Sequence, residues 1–131
     1  MRIKFPYSSY KGIKVPLVPL QLKGKNGWHW VWAFVDSGAT YSIFHSDVAS
    51  RLGIDIDSGK KMSATVGDGK TIDIYLQKLS VNLQEKVFPA TIGFSKDLKI
   101  GFNLLGREDV FRVFRVCLSD RYHELTFTET K

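Results

Sequence analysis

A single carboxylate stands out in the segment WAFVDSGATYSIF, residues 32–44. Asp36 follows an apolar run and precedes Ser37, Gly38 and Ala39, after which the sequence becomes apolar again. A desolvated carboxylate costs free energy unless it is paired, hydrogen-bonded or protonated. Gly38 permits a sharp turn whose amide can donate to the carboxylate, and the Ser37 hydroxyl can stabilise the loop. Two interpretations stay open on these residues alone: a strand-terminal turn with a hydrogen-bonded Asp, or a carboxylate held in place for chemistry.

Hydrolysis of a peptide bond by carboxylates requires two groups in different protonation states. The ionised group takes a proton from water, and the protonated group polarises the scissile carbonyl. Two aspartates in contact meet this requirement because like charges make them share one proton. Asp-Ser-Gly occurs twice in the chain (again at 57–59), but only Asp36 follows a long apolar run, and the other acids fall mostly in expected turns or helices, such as Asp68, Asp109 and Asp120. Chemistry of this kind therefore requires Asp36 of a second copy, which a two-fold homodimer supplies.

Other catalytic and ligand-binding chemistries have little support in the sequence. His29, His45 and His123 lack the spacing of metal ligands, so no metal site is predicted. A Cys117–His123 pair would lack a third group to orient it. The Gly-Asp-Gly sequence at 67–69 is not a phosphate-binding loop, because no Gly-Lys-Ser/Thr sequence follows it. We therefore expect no cofactor.

Turn signals recur about every ten residues between β-branched and aromatic runs, which predicts one mostly β domain over residues 1–131. Pairs of strands are expected around turns at residues 24–27, 67–69, 84–86 and 119–121. Pro16 and Pro19 favour an edge or irregular position for the strand that precedes the first turn. The strand over residues 28–35 becomes apolar on both faces, which is typical of a central strand.

Two short helices interrupt this β pattern. Ser46 as N-cap and Gly53 as terminator predict the first over residues 46–53. The second is expected over about residues 107–114, and residues 1–13 are interpreted as an N-terminal extension of the domain. The product is one barrel-like domain that carries two small helices.

The composition excludes several classes of protein. Apolar and charged contents are those of a globular chain, no run approaches the roughly 18 apolar residues of a membrane span, and the N-terminal segment lacks the apolar region of a secretory signal. Cys117 is the single cysteine, so no internal disulfide can form and a reducing, cytoplasmic location is expected. Cys117 itself is expected to be a small buried hydrophobe on a strand.

The net charge of +6 is unevenly distributed. Residues 1–35 contain six basic residues and no acid, whereas the rest of the chain carries thirteen basic and thirteen acidic residues. Such a region could contact nucleic acid, anionic lipid or an acidic protein segment. It could equally be a solvated strand edge, where lysines discourage pairing with other chains.

Four aromatic residues share the alternation of Asp36 along the second strand: Trp28, Trp30, Trp32 and Phe34. They form either a packed sheet face or an exposed apolar surface for a subunit or partner. An alternative function follows, in which a non-catalytic β-barrel module uses its basic, tryptophan-rich N-terminal third to bind nucleic acid or protein.

The order of three sequence blocks resembles that of the retropepsin-like aspartic proteases, in particular their short prokaryotic single-domain members. The blocks are Asp-Ser-Gly-Ala at 36–39, the hairpin around 67–69, and Leu-Leu-Gly-Arg at 104–107 before a helix. The resemblance implies a single-domain closed β-barrel with a flap hairpin, active as a two-fold homodimer. It also implies an endopeptidase that acts on peptide or protein substrates, needs no cofactor and works neither on membranes nor on nucleic acid.

The resemblance assigns a role to each matched position. Asp36 would be the catalytic carboxylate, and Ser37 and Gly38 would orient it. The residues implied to contact substrate are Ala39, Thr40 and the flap-tip residues Val66, Gly67, Asp68 and Gly69. The residues implied to support the site from beneath are Leu104, Leu105, Gly106 and Arg107.

Two positions qualify the resemblance. Viral members commonly carry acids after the alanine, where they meet the arginine, but Thr40 and Tyr41 occupy those positions here. The resemblance therefore does not identify the residue that contacts Arg107. A serine in place of Ala39 could donate a hydrogen bond to the ionised pair and lower its pKa, which alanine cannot do. We accordingly expect activity near neutral pH, and an optimum below about pH 4 would contradict this expectation.

Overall fold

The computed structural model describes residues 1–67 and 69–130, most of which lie in strands. The strands are β1 (Arg2–Pro6), β2 (Ser8–Tyr10), β3 (Ile13–Val15), β4 (Leu17–Gly24), β5 (Gly27–Val35), β6 (Ser42–His45), β7 (Lys60–Thr65), β8 (Thr71–Leu83), β9 (Lys86–Ser95), β10 (Asn103–Leu105), β11 (Phe114–Ser119) and β12 (Glu124–Glu129). The helical segments are α1 (Ser46–Leu52), a 3₁₀ turn (Ile56–Ser58) and a π-helical turn (Arg107–Phe111). None of the helices in these residues is long and apolar enough to cross a membrane.

Seven strands form one sheet in the order β4-β5-β10-β6-β9-β8-β7. The sheet curls back on itself, because β4 also pairs with β8 through Gln21 and Leu22. Two of the pairings are parallel, β10 with β5 and β6 with β9. Leu105 of β10 lies opposite Val35 of β5, so the chain leaves both strands at the same level. This parallel pair brings Asp36 next to the segment that begins at Gly106.

Buried and more exposed side chains alternate along β4 and β5, which distinguishes the two faces of this sheet. The inner face of β5 carries Val31, Ala33 and Val35, all buried, and the inner face of β4 is buried as well. Burying one such aliphatic side chain stabilises the fold by about 1.5–3 kcal/mol relative to leaving it exposed. Phe44 of β6 and Phe94 of β9 fill the core from neighbouring strands, with ring centroids 6.4 Å apart. The strand that leads to Asp36 is therefore anchored by its buried inner face.

The first helix ends as the sequence predicts but begins one residue earlier. Gly53 adopts the left-handed conformation with φ of 74°, and the amides of Gly53 and Ile54 donate to the carbonyls of Ser50 and Ala49. This is the Schellman arrangement that glycine favours. Ser46 is the first helical residue and not the N-cap, which is His45 with no side-chain cap. The Asn103 side chain accepts from the His45 amide instead, at 2.9 Å.

The two ends of the chain form a separate sheet of three strands in the order β1-β12-β11. Tyr7, which follows β1, is buried, and its hydroxyl donates to Asp120 Oδ1 at 2.8 Å. Burial, together with this hydrogen bond to a carboxylate, raises the pKa of Tyr7 from 10.0 to about 12. Residues 1–13 thus contain β1, β2 and the turn to β3. Their interpretation as an extension of the domain stays a prediction.

The expectation that Cys117 is buried is wrong. Cys117 lies on β11 as expected but is exposed. The reason is the position of β11, which is an edge strand of the three-stranded sheet and buries its first residue, Phe114, while Arg115 and Cys117 are exposed.

The four hairpins expected from turn residues are all present. Lys25 and Asn26 join β4 to β5, and Gln84 and Glu85 join β8 to β9. β8 is longer than the sequence suggests, since it runs unbroken for 13 residues and belongs to two hairpins. The strand over residues 28–35 is central, between β4 and β10. The proline-containing strand β4 lies at the end of the sheet but pairs with β8 near Gln21.

Candidate active site

The loop that carries Asp36 is fixed by the neighbouring strand β10 and the turn after it. The Asp36 amide donates to the Leu105 carbonyl at 3.0 Å. In the opposite direction, the Arg107 amide donates to the Ala39 carbonyl at 2.9 Å and the Glu108 amide donates to the Thr40 carbonyl at 2.8 Å. Backbone hydrogen bonds therefore hold both ends of the loop against one segment, which preorganises its conformation.

The Asp36 side chain is oriented from within this loop. The Gly38 amide donates to Asp36 Oδ1 at 2.9 Å, and the Ala39 amide donates to the Asp36 carbonyl at 3.2 Å. Asp36 is half-buried, whereas Ser37 and Gly38 are exposed. Among the described residues the carboxylate accepts this one hydrogen bond, so Oδ2 is available for a ligand or a second acid. The Ser37 hydroxyl makes no hydrogen bond within the same residues.

The segment beneath the loop is buried and tightly packed. Leu104, Leu105 and Gly106 are buried, as their assignment to a supporting strand requires. A Cβ on Gly106 would overlap the Tyr41 carbonyl and would lie 2.9 Å from the Ala39 carbonyl oxygen. Glycine is therefore required here by space, which explains why the two backbones can approach closely enough to exchange hydrogen bonds.

A buried serine that the sequence does not point to completes this support. Ser42 is buried, and its Oγ accepts from the Gly106 amide at 2.9 Å. The hydroxyl thereby satisfies an amide that the close packing removes from water. Asn103 acts similarly at the other end of β10, where its amide group donates to the Trp32 carbonyl at 2.9 Å. A single sequence offers no signal for either role, since both depend on pairing between distant segments.

The partner of Arg107 within the subunit is a hydroxyl and not an acid. Arg107 is exposed, and its Nη2 lies 3.5 Å from Thr40 Oγ1, at the long limit of a hydrogen bond. Both residues line a shallow depression with Glu108, Phe111 and Arg112. Among the described residues, Arg107 thus lies close to the loop of Asp36 but forms no ion pair with a carboxylate.

Asp36 lies where two lobes of a cleft meet. The smaller lobe measures about 440 Å³, and the larger about 710 Å³. Four residues border both lobes: Asp36, Leu104, Val66 and Gly67. The larger lobe is mostly apolar, and residues shown by the structure to line it include Phe34, Ile72, Leu98, Ile100 and Phe102. Sequence reasoning missed these residues, although Phe34 shares the alternation of Asp36.

The hairpin of β7 and the first half of β8 covers this cleft, and we call it the flap hairpin. Its strands pair from Lys60 opposite Leu76 to Thr65 opposite Thr71. The turn is closed by hydrogen bonds from the Val66 amide to the Lys70 carbonyl and from the Gly69 amide to the Val66 carbonyl, both 2.9 Å. Asp68, which was assigned to the flap tip, lies outside the described residues.

The predicted site residues therefore gather around one cleft, but not all border it. Ala39, Thr40, Val66 and Gly67 line the lobes together with Asp36, whereas Ser37 and Gly69 line neither. Asp97 is a second carboxylate on the wall of the larger lobe, and it is exposed. In the part of the chain that the structure describes, no three His, Cys, Asp or Glu side chains lie close enough to share a metal ion.

Comparisons with known proteins agree with this geometry. The fold is similar to that of a retropepsin-like aspartic protease from Rickettsia conorii, with 18% sequence identity and a TM-score of 0.65 over 97% of this chain and 89% of that one. It is also similar to the EIAV protease in complex with the inhibitor HBY-793, with 18% identity and a TM-score of 0.57 over 80% of this chain and 93% of that one. No curated protein matches the chain significantly.

A family model described as aspartyl protease matches residues 18–92, which is more than half of the chain and includes Asp36 and the flap hairpin. The mostly β fold and the resemblance stated from the sequence are confirmed. The chain therefore belongs to the aspartyl protease family and has the retropepsin-like fold of an aspartic endopeptidase.

Proposed function

We propose that the chain hydrolyses peptide bonds with a water molecule activated by two Asp36 carboxylates, one from each subunit of a two-fold homodimer. The observation that carries the proposal is the position of Asp36, whose carboxylate borders both lobes of the cleft beneath the flap hairpin. A carboxylate at such a junction can reach the central bond of an extended peptide that fills both lobes. The Gly38 amide on Oδ1 supports the same role because it fixes the orientation of the carboxylate.

The chemistry divides between the two carboxylates. The ionised Asp36 accepts a proton from water while the water oxygen bonds to the carbonyl carbon of the substrate. The protonated Asp36 gives its proton to the carbonyl oxygen, which becomes a hydroxyl of a tetrahedral intermediate. The Asp36 that took the proton from water then gives it to the amide nitrogen, the other Asp36 accepts a proton from one hydroxyl of the intermediate, and the C–N bond breaks to give a carboxylic acid and an amine. The pair returns to its state with one shared proton.

A homodimer is proposed because one chain offers Asp36 no suitable mate. Asp97 borders the larger lobe, but it is exposed and its amide is held by Ser95 Oγ at 3.0 Å in an irregular segment. Two identical loops that meet on a two-fold axis supply two carboxylates in equivalent surroundings. A shared proton also lowers the cost of desolvating two acids in a closed cleft.

The substrate proposed is an extended peptide or an unfolded protein segment. Ala39, Thr40 and the flap-tip residues at 66–69 are its proposed contacts. No cofactor is assigned, and the single cysteine favours the cytoplasm as the location.

Asp36→Asn tests the proposal most directly. We expect this variant to lose cleavage of a peptide library by at least about a thousandfold, because an amide can neither accept the proton of water nor share one. The library is digested at several pH values between 4 and 8, since activity near neutral pH is expected. Folding is checked by circular dichroism and the mass by sedimentation.

Asp47→Asn is the matched control, because Asp47 is an exposed acid in the first turn of α1 and outside the cleft. This variant should cleave at the rate of the unaltered protein.

Asp97→Asn separates the two possible origins of the second carboxylate. If it removed cleavage as fully as Asp36→Asn, a pair within one chain would replace the homodimer.

A further inference from the structure

The outer face of β5 is an exposed aromatic surface that leads into the cleft. Trp28, Trp30 and Trp32, which we call the tryptophan stripe, are 36%, 63% and 50% exposed. They alternate with the half-buried His29 and the buried Val31 and Ala33 on the same strand, so all three project from the outer face. Monomeric proteins rarely expose a continuous row of large aromatic side chains without a binding role. The structure thus decides between the packed and the exposed arrangement that the alternation left open.

The stripe is continuous with the larger lobe of the cleft. Phe34, the next residue on the same face, stacks on Phe102 with ring centroids 4.9 Å apart and an angle of 14°. Both rings line the lobe that Asp36 borders. A strand rises about 3.4 Å per residue, so the row from Phe34 to Trp28 covers about 20 Å, or about six residues of an extended peptide. A polypeptide that leaves the cleft past Phe34 meets Trp32 next.

Positive charge accompanies the stripe at both ends. Lys23 lies opposite Trp28 on β4, with its ammonium 5.5 Å from the centre of the indole. At the cleft end, Tyr10 packs edge-on against Phe102, and the Lys11 ammonium lies 5.4 Å from the Tyr10 ring. No acid occurs in residues 1–35 to neutralise these lysines locally. The charge of the surface therefore complements an acidic ligand.

The outer face of β5 determines how a ligand can bind the stripe. β4 pairs with β5 along the stripe, whereas β10 pairs only with Ala33, Phe34 and Val35. The indole rings project from the sheet face, so contact with them comes from side chains that pack on the rings and from acidic groups that meet the lysines. An apolar or aromatic segment with interspersed Asp or Glu has both properties.

We propose that the tryptophan stripe is an exosite, outside the catalytic cleft, for a substrate segment that flanks the cleaved bond and is rich in aromatic and acidic residues. The proposal rests on the proposed endopeptidase function and names its substrate class. Binding at two linked sites raises the effective concentration of the scissile bond at Asp36. The exosite therefore lowers KM for substrates that carry the segment and leaves kcat unchanged.

The test compares two peptides that share one core sequence, chosen by library digestion. One peptide is the core alone, and the other extends it by about six residues of alternating aromatic and acidic type. We expect the unaltered protein to favour the extended peptide by about tenfold in kcat/KM through KM. Trp30→Ser combined with Trp32→Ser should abolish this preference and cleave the core peptide at the unaltered rate. Tyr122→Ser, which removes a 69% exposed aromatic residue in the turn between β11 and β12, should keep the preference.

A second measurement does not depend on cleavage. In the Asp36→Asn background, the affinities for both peptides are measured by fluorescence anisotropy, with and without the two tryptophan substitutions and at low and high salt. A tenfold preference for the extended peptide that disappears with the substitutions and weakens with salt supports the exosite even if no peptide is cleaved, in which case only the endopeptidase proposal fails.

Two results would overturn the exosite. One is equal affinity for the two peptides, or a preference that survives the loss of both tryptophans. The other is that the substitutions reduce binding to a single-stranded oligonucleotide or to phosphatidylserine vesicles while the peptide preference is unchanged. The stripe would then serve a nucleic acid or a lipid surface.

Discussion

At the scale of single residues, three polar contacts fix the Asp36 carboxylate, the turn that follows β10 and the segment that follows β1. The Gly38 amide holds Asp36, the Ser42 hydroxyl satisfies the Gly106 amide, and the Tyr7 hydroxyl binds Asp120. Ser42 and Tyr7 are buried, so their contacts satisfy polar groups that would cost free energy if unpaired, whereas the exposed Gly38 contact orients the carboxylate. The Tyr7 contact also makes stability depend on pH in a direction that can be measured.

Tyr7→Phe should lower the free energy of unfolding by about 1–2 kcal/mol at pH 7, because it removes a hydrogen bond to a carboxylate. The pKa of Tyr7 is raised in the folded state, from 10.0 to about 12. The stabilisation from the protonated hydroxyl is therefore complete below pH 10 and declines as the pH rises towards 12. Urea unfolding at pH 7 and pH 11 measures both effects. The exposed Tyr122→Phe serves as control, and an equal difference between Tyr7→Phe and the unaltered protein at both pH values would contradict the argument.

At the scale of elements, the site depends on the parallel contact between β5 and β10. These strands end together, and the loop after one exchanges backbone hydrogen bonds with the turn after the other. Gly106 lies where the two segments are closest. The conformation of the catalytic loop is therefore set by packing from beneath and not by the loop alone.

Gly106→Ala should destabilise the protein by about 3 kcal/mol and abolish cleavage, since a Cβ would push the Tyr41 carbonyl and the loop away. Thermal unfolding and peptide cleavage measure the two losses. Gly67→Ala is the control for stability, because a Cβ at Gly67 would meet nothing within 4 Å among the described residues. A Gly106→Ala protein that melted with the Gly67→Ala protein would show that the loop tolerates the added carbon.

The hairpins were predictable from sequence, whereas the strands that position the site were not. Turn residues such as Asn26 are local signals, and each hairpin follows from its own segment. β6 and β10 are short, and their pairing joins Leu104 to Ile43 across about sixty residues of chain. The terminal sheet pairs Ile3 with Phe127. No periodicity within either segment specifies such a partner.

The candidate site was likewise predictable only where it depends on local sequence. Local chemistry and the family resemblance point to Asp36 and its loop, and both lie within one short segment. The cleft is lined from separate segments, so its lobes emerge only when the sheet curls. The tryptophan stripe was predictable only in part. The alternation predicts that the three side chains share one face, but it does not predict whether another element covers that face.

At the scale of the whole molecule, the chain pairs its own terminal strands with each other. β12 is paired on both sides, with β1 and with β11, so the terminal strands form a sheet within one chain. This sheet forms without strands from a second copy, and the proposed dimer requires contact around the loop of Asp36. Subunits that fold separately should exchange in solution.

Exchange gives a test of shared catalysis. When a tenfold excess of Asp36→Asn protein is added to dimeric unaltered protein, activity per unaltered subunit should fall to about one-eleventh, because mixed dimers carry one carboxylate. A tenfold excess of Asp47→Asn protein should not reduce it. Activity that stayed constant with the Asp36→Asn protein, after exchange had been verified by mass spectrometry of labelled subunits, would mean that each chain works alone.

The unbroken course of β8 has a mechanical consequence for substrate entry. Residues 71–74 of β8 pair with β7 alone, whereas from Tyr75 onward β8 is also bound to β9. The part of the hairpin before Tyr75 lacks this second pairing, so we expect it to bend next to Tyr75 more easily than the rest of β8. A rotation of about 15° there would move a point about 20 Å away by about 5 Å, the spacing between neighbouring strands. The stiffness of β8 next to Tyr75 is therefore expected to affect how readily a substrate enters the cleft.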